Sequence, residues 1–114
     1  MIDSNKKLKR MQLSDALQVY PSPEAAVPPR GGWVRAIREA LGMTQAQLGA
    51  RAGISRQSVQ DFERAEADRR ITLDSLDRLA RAMGCRVAYA LVPEGGTLDD
   101  LRELDHELAD LVLG

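Results

Sequence analysis

The chain has 114 residues, 44% of them hydrophobic, enough for one domain with a buried core and terminal extensions. Its formal net charge of −1 hides an uneven spread: residues 1–30 carry five Lys and Arg against three acids, residues 31–92 ten against seven, and residues 93–114 one against seven. A single cysteine excludes an intrachain disulfide, and no apolar run approaches the ~20 residues of a membrane span or opens the chain as a secretory leader would, so a cytoplasmic protein with no membrane partner is expected.

Three zones follow in chain order: residues 1–30, 31–84 and 85–114. In the first, Leu8, Met11 and Leu17 among Lys and Gln predict an amphipathic helix, followed by the stiff Pro-rich stretch Pro21 to Pro29. Such a helix cannot bury its apolar side alone and must dock on something. After Gly31-Gly32, the spacing of Val34, Ile37 and Leu41 predicts a helix stopped by Gly42, with Trp33 as a core or capping anchor at its start. Thr44 then caps a helix over residues 45–52 whose inward positions are Ala46, Leu48 and Ala52, and Gly53 ends it. Ser55 caps the next, with Val59 and Phe62 inward and Arg56, Gln57, Gln60, Asp61 and Arg64 facing elsewhere. Leu73, Leu76, Leu79, Ala80 and Met83 mark a further helix stopped by Gly84, after which Cys85 is expected as a small buried hydrophobe.

From Arg86 the apolar period changes to two. Val87, Tyr89 and Leu91 fall on one face of a predicted short strand closed by Pro93. Within the chain only Leu17 to Tyr20 could supply a partner strand, so pairing with the same strand of a second copy, and hence a homodimer, is expected. A last helix is expected from Thr97, with Leu98, Leu101, Leu104, Leu108 and Leu111 as a stripe backed by acids, Asp99 and Asp100 in its first turn.

The informative constellation is the pair of helices around Ala52-Gly53-Ile54. A short turn containing Gly lets two helices cross steeply while Leu48, Ile54 and Val59 share one core, leaving the start of the second helix protruding. Arg makes two hydrogen bonds to guanine and Gln two to adenine, so Arg56, Gln57 and Gln60 suit the major groove of DNA. Arg35, Arg38, Arg51, Arg78 and Arg81 read as solvated helix-face charges. His106 stands alone, no metal-ligand set or catalytic grouping is legible, and neither enzyme nor cofactor is expected.

Over residues 33–84 the sequence resembles the Xre-type helix-turn-helix repressors, the group of the phage lambda and 434 repressors. The likeness rests on Leu-Gly-Met-Thr-Gln-Ala-Gln-Leu48, Ala-Gly-Ile-Ser-Arg-Gln-Ser-Val59, Phe62-Glu63 and the leucine-rich helix beyond. It implies a mostly α, lambda-repressor-like bundle with one short dimerising strand and flanking helices. It also implies a double-stranded operator, with Gln45, Arg56, Gln57 and Gln60 at base edges and Thr44, Ser55, Ser58, Arg64, Arg69 and Arg70 at the DNA backbone. Where the group often has Gly and Pro after Phe62-Glu63, this chain has Arg64 to Arg70. More narrowly, Trp33 to Gly42 and Cys85 to Pro93 look like the group called mobile mystery protein A. That resemblance implies an antitoxin-like autorepressor paired with a Fic-domain toxin, although the Ser/Thr-x-x-x-Glu-Gly/Asn motif of some Fic inhibitors is absent. The other reading is a module whose main role is to bind and neutralise that partner.

Overall fold

The computed structural model describes residues 2–22, 27–95, 97–98 and 104–113. Six helices occur among them: α1 Ile2–Leu17, α2 Trp33–Ala40, α3 Gln45–Ala52, α4 Arg56–Ala67, α5 Leu73–Ala82 and α6 Leu104–Leu113. None is long and apolar enough to cross a membrane. The chain divides into two compact units, one of residues 28–88 and one of residues 1–27 with 89–114.

In the first unit, α2 to α5 surround a core of Val34, Leu48, Val59 and Leu79, each almost wholly enclosed, one from every helix. Met43, Ile54, Phe62, Ile71, Leu76 and Met83 pack around them. A fully buried Leu or Val side chain contributes roughly 1.5–3 kcal/mol, so these four side chains dominate the cohesion of so small a unit. Leu41, Ala46 and Leu73, expected inward, are exposed instead. Leu41 is the residue just past α2, Ala46 lies in the first turn of α3, and Leu73 opens α5, so each sits where a helix end leaves the core.

Each helix end in this unit is closed in the same way. The N–H groups of Met43, Ile54, Arg70 and Cys85 return to the carbonyls of Arg38, Gly49, Ala65 and Ala80, five residues back, the bond of a Schellman closure. That closure places one residue in the left-handed region: Gly42, Gly53 and Gly84 in three helices, and Arg69, at φ 60°, in α4. Thr44, Ser55 and Thr72 cap the starts of α3, α4 and α5 by accepting from the N–H three residues on. At α2 the cap comes from elsewhere. Both carboxylate oxygens of Glu66 in α4 accept from the helix start, from Trp33 N–H at 2.8 Å and Val34 N–H at 2.9 Å. A Cβ on Gly32 would lie 2.7 Å from that carboxyl, so the glycine makes room for the cap. Trp33 itself, 48% exposed, does not anchor the core.

The expected strand is not present among the described residues: residues 85–93 carry no ladder bonds, and Gln18 to Tyr20 form a turn after α1. A strand exists through a paired neighbour, and this segment finds a side chain instead, the Val87 N–H donating to Oδ1 of Asp77 at 3.3 Å. Cys85 is exposed, because Gly84 turns the chain off the inward face of α5.

The second unit contains α1, α6 and the segment from Tyr89. Ser14 of α1 accepts from Leu98 N–H at 3.1 Å. Leu8, Met11, Leu13, Leu104, Leu108 and Leu111 are exposed, and the described residues of this unit contain no buried hydrophobic side chain. The expected last helix is described from Leu104; Asp99, Asp100 and Leu101, like residues 23–26 of the Pro-rich stretch, lie outside the described residues.

Candidate nucleic-acid interface

The α3–turn–α4 pair is built on two glycines with different duties. Gly53 takes φ 72° and turns the chain, while Gly49 lies within α3 and is buried against the next segment. A Cβ on Gly49 would meet the Ile54 carbonyl oxygen at 2.7 Å and the Ser55 carbonyl carbon at 3.2 Å. No side chain fits there, so α3 and the turn approach as closely as backbone allows. Two arginines fasten the rest. Arg51 of α3 donates to the Ala82 carbonyl at the end of α5, and Arg78 of α5 donates to the Ala52 and Gly53 carbonyls at the end of α3. Each places a cation on a helix C-terminus, where carbonyls are unpaired and the dipole is negative.

A buried ion pair joins the last turn of α2 to the second half of α4. Arg38 and Glu63 are 9% and 6% exposed, and they meet through two bonds, Nε to Oε2 at 2.6 Å and Nη2 to Oε1 at 3.1 Å. Nη1 of Arg38 donates to the Met43 carbonyl, and Gln45 Nε2 donates to Glu63 Oε1 at 3.1 Å. One carboxylate therefore ties α2, α3 and α4 together. Its hydrogen bond holds the Arg38 guanidinium above its already high ordinary pKa, against the opposing effect of burial. Arg38 is thus a buried structural charge and not a solvated one; Arg35 and Arg81 remain on the surface, paired with Glu39 and Asp77.

The sequence-predicted reading residues fall into distinct settings. Gln45, Gln60 and Arg64 line one groove of about 380 Å³ with Arg35, Arg38 and Glu63. Arg56 borders an adjoining hollow with Thr44, Gln45 and Ala46. Gln57 lies exposed one turn before Asp61, to which it is hydrogen-bonded. The hydroxyls of Thr44 and Ser55 serve as helix caps at the surface, and Ser58 is half-buried with its Oγ 3.0 Å from that of Ser55. Arg69 and Arg70 follow α4; Arg70 pairs with Asp68, while the side chains of Arg56, Arg64 and Arg69 make no hydrogen bond or ion pair among the described residues. Val87 is half-buried, and Tyr89 and Leu91 are exposed.

Residues 34–89 match the family described as helix-turn-helix. These residues form an Xre-like helix-turn-helix domain. No match to the chain was found among curated proteins or among solved structures. The domain is of the kind that DNA-binding transcription regulators carry, and its two defining helices are α3 and α4, joined by the Gly53 turn.

Sequence reasoning missed Glu63, Arg38, Glu66 and Gly49. A signal for the pair existed: Arg38 stands four residues after Val34 and Glu63 four after Val59, so helical spacing puts each charge on the inward stripe of its own helix. Nothing local in the sequence marks Glu66 as the cap of a helix more than thirty residues earlier.

Proposed function

We propose that this chain is a sequence-specific transcriptional repressor that binds a double-stranded operator as a homodimer and represses its own operon as the antitoxin-like member of a pair. The observation that carries the reading is the exposure of Arg56 and Gln57 at the start of α4, a helix held to α2 and α3 by the bonds of Arg38 and Gln45 to its Glu63. Arg56, Gln57 and Gln60, with Gln45 at the start of α3, read base edges, and Thr44, Ser55, Ser58, Arg64, Arg69 and Arg70 hold the phosphates. Two copies place their α4 helices about one DNA turn, ~34 Å, or a multiple of it apart. Pairing of the segment around Val87, Tyr89 and Leu91 with its equivalent would give a ladder to backbone that has none among the described residues. The reading assigns the chain no catalytic activity and places it in the cytoplasm.

Selection of bound sequences from random duplex DNA tests it. Recovery of an inverted repeat that also occurs in the promoter of the chain's own operon supports a dimeric autorepressor, and failure to enrich any motif at modest salt removes it. One observation favours a second reading, in which the chain chiefly neutralises a Fic-type toxin: Leu104, Leu108 and Leu111 of α6 are exposed at helical spacing. Co-purification of a neighbouring gene product that is lost on Leu108→Asp, with DNA binding intact, would support that role.

A further inference from the structure

Gln57 is the second residue of α4, on the end that the proposed function points at base edges, and its amide has a partner on its own helix. Its Nε2 donates to Oδ1 of Asp61 at 3.1 Å, one turn along the helix. Both side chains are exposed, so packing does not impose this arrangement. An ionised carboxylate accepts hydrogen bonds and donates none. An amide flipped the other way would set its own oxygen against that of Asp61, acceptor against acceptor. The pair therefore selects one of the two amide orientations. In it, one N–H is engaged by Asp61, and the second N–H and Oε1 remain available in a fixed order.

We infer that Asp61 is a positioning residue for base recognition: it locks the Gln57 carboxamide so that one base edge, offering an acceptor and a donor in the matching order as adenine does through N7 and N6, is preferred. The inference rests on the DNA-reading role proposed above. It also explains an acid on a surface that meets phosphates. Asp61 costs affinity for DNA of any sequence, and in exchange it fixes the donor and acceptor that distinguish one sequence from another.

The test is selection from random duplex DNA with the full chain, comparing wild type with Gln57→Ala, Asp61→Ala, Asp61→Asn and Asp61→Glu. Gln57→Ala identifies the base pair that Gln57 reads. At that pair, Asp61→Ala and Asp61→Asn are expected to lose about twofold in discrimination, the worth of an exposed Gln–Asp pair one helical turn apart, because neither favours one flip, an asparagine amide being able to meet both. Asp61→Glu, still an acceptor only, retains most of it. If the Ala and Asn variants bind every sequence more tightly with the preference intact, Asp61 acts only by repelling phosphates and the inference is overturned. Loss of preference at a different base pair overturns it too, since Asp61 would then read a base itself. A wild-type chain that selects no motif removes the DNA-reading role and the positioning role with it.

Discussion

The Arg38–Glu63 pair offers the sharpest energetic test of how the domain is held. With one partner removed, the other is left as an uncompensated charge in a site less than a tenth exposed. Breaking a buried pair in this way costs about 3–5 kcal/mol, whereas replacing both partners with apolar side chains of similar volume is often neutral or better. At the usual ~0.05–0.15 kcal/mol per residue, a unit of this size is stable by roughly 3–9 kcal/mol, so Arg38→Met alone should bring it close to unfolding. Arg38→Met with Glu63→Leu should recover most of the loss, less a hydrogen bond each at Met43 and Gln45, about 1 kcal/mol apiece. Urea denaturation of the two single variants, the double variant and the wild type gives the coupling energy directly. Single-variant losses under about 1 kcal/mol, the value of an exposed pair, would mean that water reaches the site and would refute the argument. A double variant no more stable than either single variant would refute it from the other side.

Three further outcomes follow from particular contacts. Gly49→Ala sets a methyl 2.7 Å from the Ile54 carbonyl oxygen and should destabilise the domain by about 1–3 kcal/mol, read from the shift in urea midpoint; an unchanged midpoint would show that the turn can yield. Arg69→Gly removes a left-handed side-chain residue and should raise stability by about 1 kcal/mol, while lowering the salt slope of DNA binding by about 1 if Arg69 holds a phosphate. The carboxyl of Asp77 is held below the usual range, first by its hydrogen bond from Arg81 and then by that from Val87 N–H. A depressed folded value means that its contribution is fully present above the ordinary value of 3.8 and is lost as pH falls through the lower folded value. The Val87 amide resonance should therefore titrate with a midpoint below 3.8, and a midpoint at or above it would show that the contact does not persist in solution.

Much of the helix-turn-helix domain was legible because its signals are local. Capping hydroxyls at Thr44 and Ser55 and terminal glycines at 42, 53 and 84 declare helix ends within a few residues of themselves, and helical spacing marks Leu48, Val59 and Leu79 as inward, each on its own helix. Arg69 hid one closure by adopting the conformation without the usual residue. The strand failed for a different reason. Alternation along Val87, Tyr89 and Leu91 records which residues could share a face, but a strand also needs a partner, and that is not a property of the segment. The same limit applies to the site. Arg56 and Gln57 could be named from helix position alone; helical spacing could place Glu63 on an inward stripe, but which groups it binds became visible only when α2, α3 and α4 were brought together around one carboxylate.

Charge pairing connects the fold to the proposed reading surface. Within residues 28–88, Arg35, Arg38, Arg70 and Arg81 are paired with Glu39, Glu63, Asp68 and Asp77, Arg51 and Arg78 are spent on helix C-termini, and Glu66 is spent on a helix N-terminus. The arginines left without such partners on α4 and its exit are Arg56, Arg64 and Arg69, and the acid among them, Asp61, is engaged by Gln57. A formal charge of −1 for the chain is therefore the wrong quantity for judging what the domain can bind. What a phosphate meets at close range is the residue of charge left after internal pairing, because oppositely charged neighbours cancel within a few ångströms, whereas the seven acids of residues 93–114 belong to the other compact unit. By this reasoning a chain truncated after residue 92 should bind DNA more tightly than the full chain at low salt. The two should converge as salt rises, since salt screens the repulsion between the seven acids and the phosphates.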